Sequence, residues 1–120
     1  MKIDAVTLMV SDMARSLAFY AAAGIDEVLF GGPDQPFTTL RVGEGYLNLT
    51  TAEGPPAGAW GRWIVHVEDP DAVWADLVEA GHQPDAEPAD APWGERYFHV
   101  RDPDGHELSV ARPLPGHPRP

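Results

Sequence analysis

Three side chains in the C-terminal half, His66, His99 and Glu107, are of the types that hold a divalent metal or move a proton. Two imidazoles and one carboxylate suit a metal that keeps open positions for a substrate oxygen. Without a metal, His66 or His99 beside Glu107 would form a general acid/base pair. Which of them can meet is a question of strand parity. In "RWIVHV", if Trp63, Val65 and Val67 pack inward, Arg62, Ile64 and His66 face the other way. In "YFHVRDPDGHELSV", burial of Phe98 and Val100 turns Tyr97 and His99 outward from that core, and burial of Leu108 and Val110 does the same for Glu107 and Ser109. His106 stands beside the turn and is expected in solvent. A plainer role fits the same residues, with the histidines hydrogen-bonded to neighbours and Glu107 neutralising Arg62 or Arg101. Alternation leaves both readings open, because ligation needs convergence within about 2 Å of one point.

The elements that would position these residues come twice. "AVTLMVSDMARSLAFYAAAGID" overlies "RWIVHVEDPDAVWADLVEAGHQ" without a gap, at a constant offset of 57 residues. In each copy a period-2 strand (Val6, Leu8, Val10; then Trp63, Val65, Val67) runs into an aspartate, Asp12 or Asp69, suited to cap a helix. Pro70 fits the first helical position, where a missing N–H costs nothing. Apolar residues follow at helical spacing, Met13, Leu17, Tyr20 and Ala21 in one copy and Val73, Trp74, Leu77 and Val78 in the other. Gly24 and Gly81 supply the stop. Strand-like segments then return: "DEVLF", "FTTLRV" and "YLNLTT" in the first copy, "ERYFHV" and "HELSVAR" in the second, with Pro-rich "PDAEPADAP" before them. The fold expected is α+β, two βαβββ modules, each a curled mixed sheet with a helix on its outer face. Module 1 spans residues 1–52, a linker 53–61, module 2 62–112, and a loose Pro-rich tail 113–120, together forming a single domain.

A paired βαβββ unit with "VSD" before its first helix, "AFYAAAGI" at that helix's end and "VRDPDGHEL" near the C-terminus resembles the vicinal oxygen chelate superfamily of glyoxalases, bleomycin-resistance proteins and dioxygenases. The resemblance covers roughly residues 3 to 112, and "RWIVHVEDPDAVWADL" with "WGERYFHVRDPDG" is most similar to the metal-free bleomycin-resistance branch. It implies sheets curled into a cup, a homodimer and, in the enzymes, one metal ligand from each of four strands. Those four positions fall here on Ala5, Asn48, Arg62 and Ser109. Ala5 has no donor, Arg62 opposes a cation, and Asn48 and Ser109 are neutral oxygens, so no metal and no cofactor is expected at the family positions.

The residues left on the concave faces are Thr7, Met9, Phe37, Thr39, Arg41, Tyr46 and Asn48 in module 1, and Arg62, Ile64, His66, Tyr97, His99 and Ser109 in module 2. Such an aromatic and polar mixture suits a small-molecule pocket. Trp60 and Trp93 lie in Gly/Pro-flanked loops, where an indole either closes the core's edge or clamps a flat ring. The expected ligand is aromatic or cationic, bound without metal as an antibiotic is sequestered; the alternative is a lyase, isomerase or dioxygenase of the same fold with relocated ligands or metal-independent acid/base catalysis. Asp85, Glu87 and Asp90 would favour a cation near Trp93, whereas Arg41 and Arg62 would favour an anion.

Composition narrows the partners. The 120 residues carry 19 acidic against 8 basic side chains, a formal charge of −11, with no basic stripe, which argues against nucleic acid. There are no cysteines for disulfides or thiol chemistry. No apolar run reaches membrane-span length and no signal-peptide pattern opens the chain, so a cytoplasmic location is expected. A second copy closing each concave sheet would form a homodimer.

Overall fold

The computed structural model describes residues 1–54 and 62–116, so Trp60 and most of the linker lie outside the described residues. The chain divides into two compact units, Met1–Gly58 and Ala59–Pro120. In the first, β1 (Ala5–Met9) leads to α1 (Met13–Ala22), then β2 (Val28–Phe30), β3 (Phe37–Val42) and β4 (Gly45–Thr50). The second repeats the order with β5 (Arg62–His66), α2 (Pro70–Glu79), β6 (Ala89–Asp90), β7 (Glu95–Arg101) and β8 (Glu107–Pro113). Strand order is β1-β4-β3-β2 in one sheet and β5-β8-β7-β6 in the other. In both, the strand before the helix pairs in parallel with the last strand, and the remaining pairs are antiparallel. These are two mixed four-stranded sheets, each with one helix, and the fold is α+β.

Local chemistry sets the helix limits. The Asp12 carboxylate accepts from the Arg15 N–H at 3.1 Å and the Asp69 carboxylate from the Ala72 N–H at 3.2 Å. Both helices stop at a glycine with left-handed φ, Gly24 at 94° and Gly81 at 93°. The N–H groups of Ile25 and His82 reach back to the carbonyls of Tyr20 and Leu77, closing the last turn of each helix.

The buried stripe of α1 differs from the expected one. Met13, Ser16, Phe19 and Tyr20 are buried, whereas Leu17 is half-buried and Ala21 exposed. The Phe19 and Tyr20 rings, both fully buried, meet edge to face at 4.9 Å, and Ser16 shares their inward face in place of Leu17. In α2, Leu77 is buried while Val78 stays largely in solvent. The core of the second sheet is the other half of its alternation, Val65, Phe98, Val100, Leu108 and Val110, on the side where α2 contacts β7 and β8. His106 is buried, against expectation. The Asp102 carboxylate accepts from the backbone N–H groups of Asp104 and His106, each at 2.9 Å, and so folds the turn inward.

Candidate functional site

Residues paired across neighbouring strands share a sheet face, and in the second unit the register lines the singled-out residues into three rungs. Arg62, Glu107 and Arg101 form the first. Ile64, Ser109 and His99 form the second, and His66, Ala111 and Tyr97 the third. The middle strand contributes small Ser109 and Ala111, both buried, while Ile64 and His66 on one flank stand exposed.

The first rung is an ion-pair chain. Glu107 accepts from Arg62 Nε at 2.6 Å through Oε2, while Oε1 lies 3.7 Å from Arg101 Nη2 and 3.9 Å from His99 Nδ1. The Arg62 hydrogen bond, more than any other influence, holds the Glu107 carboxyl below the usual carboxylate range. His99 is pushed the other way for a base: burial first, then the Arg62 charge, lower its imidazole pKa below the ordinary value.

Asp85 joins this group from the loop before β6. Its backbone N–H donates to the His99 carbonyl at 2.9 Å. One ligand atom each from Asp85, His99 and Glu107 lie within 4.8 Å of one another. His66, on the same face, is exposed and not a member of that group. The sequence placed Asp85 near Trp93 with Glu87 and Asp90; instead Asp90 bonds Arg96 at 3.0 Å and Glu87 lies beside α2. No periodic signal in the Pro-broken loop marks which of the three acids turns toward His99.

Aromatic rings continue the face. Trp93 stands 5.4 Å from Tyr97 with planes inclined at 43°, and Tyr97 stands 5.1 Å from the His99 ring. Trp93 Nε1 donates to Glu95 at 2.9 Å, which fixes an indole that is 65% exposed.

In the first unit the same parity holds. Ala5, Tyr46 and Arg41 form one rung, Thr7, Asn48 and Thr39 the next, and Met9, Thr50 and Phe37 the third. Arg41 lies 5.0 Å over the Tyr46 ring and 3.8 Å from Glu27. Asn48 Oδ1 accepts from the Thr39 hydroxyl at 2.8 Å, and its Nδ2 donates to the Thr7 hydroxyl at 3.3 Å.

A family model described as the glyoxalase/bleomycin resistance protein/dioxygenase superfamily matches residues 2–110. The chain belongs to this superfamily. Among solved structures, TioX from Micromonospora sp. ML1 is 26% identical, with 95% of this chain and 100% of that one covered at a TM-score of 0.76. A superfamily member from Sphaerobacter thermophilus is 25% identical, with 93% and 97% covered and a TM-score of 0.74. Lactoylglutathione lyase from Agrobacterium tumefaciens is 19% identical with 92% of each chain covered and a TM-score of 0.74, a likeness of fold. No curated protein matches the chain.

The positions where the superfamily resemblance puts metal ligands do not fit a divalent ion. Ala5 offers no donor atom, both ends of the Asn48 amide are engaged, and Ser109 is a buried neutral hydroxyl. Arg62 brings a positive charge already bonded to Glu107. Among the described residues no helix is long and apolar enough to cross a membrane.

Proposed function

We propose that the sheet face bearing Trp93 in this superfamily member binds a flat aromatic small molecule without a metal, sequestering it as the bleomycin-resistance members do. The row of rings from Trp93 through Tyr97 to His99 carries this reading. Offset or edge-on ring contacts add about 0.5–1.5 kcal/mol each beyond the area they bury. His99, whose burial lowers its imidazole pKa, extends the row with less of the hydration an imidazolium would hold. Ile64, His66 and Ser109 edge the same face, and Arg62 and Glu107 bound it with a pair already satisfied. The working unit on this reading is a homodimer. Titration of tryptophan fluorescence with a bleomycin-type glycopeptide and with an intercalating antibiotic tests it. Saturable quenching in the parent and its loss in Trp93→Ala are expected. Binding by Trp93→Ala equal to the parent's rejects the ring row as the site.

A second reading has its own observation, the approach of Asp85, His99 and Glu107. On that reading the protein is a lyase, isomerase or dioxygenase whose ligands have shifted one rung, or a metal-free acid/base enzyme. The two guanidinium groups on Glu107 weigh against a cation there. Calorimetric titration with Zn²⁺ and Mn²⁺ separates the readings: one equivalent bound by the parent and none by His99→Ala supports the shifted site.

A further inference from the structure

Arg96 alternates with Tyr97 along β7, so it belongs to the helix side of the sheet, opposite the ring row. A hollow of about 350 Å³ opens there, lined by Asp71, Trp74 and Ala75 of α2, Glu87 and Pro88 of the following loop, and Arg96. That volume falls in the range of small-molecule sites. Its walls are held in place by polar ties. Trp74 Nε1 donates to the Ala86 carbonyl at 3.2 Å, fixing the indole against the loop. Arg96 donates from Nε and Nη2 to the two Asp71 oxygens at 2.6 and 2.8 Å, and from Nη1 to Asp90 at 3.0 Å.

The guanidinium is thereby spent on two carboxylates. Arg112, paired in register with Arg96, adds a charge that reaches Asp71 but does not line the hollow. Glu87 remains, an exposed carboxylate on the wall with no hydrogen bond or ion pair among the described residues. An indole and a carboxylate lining one hollow favour a soft, weakly hydrated cation, which an aromatic ring attracts through its quadrupole and a carboxylate through its charge. The overall charge of −11 adds a field of the same sign.

We infer that this hollow binds a small organic monocation, a quaternary ammonium or protonated amine, at a site separate from the ring row. Choline chloride is the probe, with 3,3-dimethylbutan-1-ol as its neutral isostere and NaCl holding ionic strength constant. The readout is the Trp74 indole N–H resonance, assigned by its absence in Trp74→Phe. Choline is expected to shift it along a saturable curve with a Kd of millimolar order, roughly what one ring and one carboxylate sustain. The alcohol leaves it unmoved. Glu87→Gln, an exposed loop position whose change spares the fold, weakens choline roughly fivefold. Equal curves for choline and the alcohol, an unchanged Kd in Glu87→Gln, or a shift of the Trp93 indole instead of Trp74 would each overturn the inference.

Discussion

Replacing Glu107 with Gln removes the one negative charge from the Arg62–Glu107–Arg101 rung and leaves its shape. A deeply buried pair broken on one side costs about 3–5 kcal/mol, and an exposed pair about 0–1 kcal/mol. Here the Glu107 side chain is 15% exposed but Arg62 is 46% exposed, so the released guanidinium regains much of its hydration. The cost therefore sits near the upper end of the exposed range, about 1 kcal/mol. Its pH dependence follows from the lowered Glu107 pKa. A carboxylate depressed on folding contributes its stability above the unfolded pKa and loses it as pH falls through the folded one. The urea-unfolding difference between parent and Glu107→Gln is thus expected in full at pH 7 and shrinks in acid, as pH falls below the ordinary carboxylate range and through the lowered folded-state pKa. The His99 ring reports on the same rung. Arg62 lowers its pKa while Glu107, Asp85 and Glu95 raise it, so Glu107→Gln removes the largest of the opposing charges and His99 titrates lower than in the parent. An NMR titration in which His99 moves upward, or a stability gap unchanged in acid, refutes the electrostatic account.

Other consequences are as direct. Trp93→Ala is expected to leave stability within about 0.5 kcal/mol because the indole is 65% exposed. Phe98→Ala, in the β7 strand that follows Trp93 and 2% exposed, is expected to cost about 3–5 kcal/mol in the same denaturation assay. Gly31→Ala places a Cβ 2.1 Å from the Phe37 carbonyl oxygen at a φ of +83° and is expected to cost roughly 3 kcal/mol or more. Gly24→Ala, with open space at a φ of +94°, pays only the backbone cost of about 1–2 kcal/mol, and equal losses at the two would refute the steric argument. Light scattering of the parent protein is expected to give twice the 13.0 kDa chain mass; a monomer at micromolar concentration rejects the dimer.

What the sequence made legible was whatever depends on near neighbours. Asp12 and Asp69 cap their helices, and the 57-residue offset carries β1–α1 onto β5–α2, because caps and strand alternation act within a few residues. Parity on β5, β7 and β8 correctly put Arg62, Ile64, His66, Tyr97, His99, Glu107 and Ser109 on one face. The failures are tertiary. Leu17 and Ser16 are adjacent, and burial of both Phe19 and Tyr20 goes with a face that takes in Ser16 rather than Leu17. His106 looked like a turn residue, but the Asp102 carboxylate gathers two N–H groups and draws it under the surface. Asp85 reaches His99 through one backbone bond of a loop whose prolines erase any register. Trp93, its neighbour in the same irregular stretch, showed its residue type but not the ring it leans on.

The placement of Arg62 ties the electrostatics of the face to the proposed use. A metal centre needs anionic or neutral donors arranged around a cation that the protein does not itself supply. In this chain the cation is built in: Arg62 occupies the strand position that the superfamily resemblance assigns to a ligand, and Glu107 stands directly across from it on the neighbouring strand. The guanidinium has no vacant orbital to take a ligand's electron pair, so it neutralises the carboxylate without the Lewis-acid chemistry a metal would supply. Burial first, and the same charge second, lower the pKa of the His99 imidazole beside Tyr97. On the proposed reading one arginine therefore does two things at once: it satisfies the acid that a metal would otherwise have drawn, and it adds to the burial that lowers the pKa of His99 in the ring row.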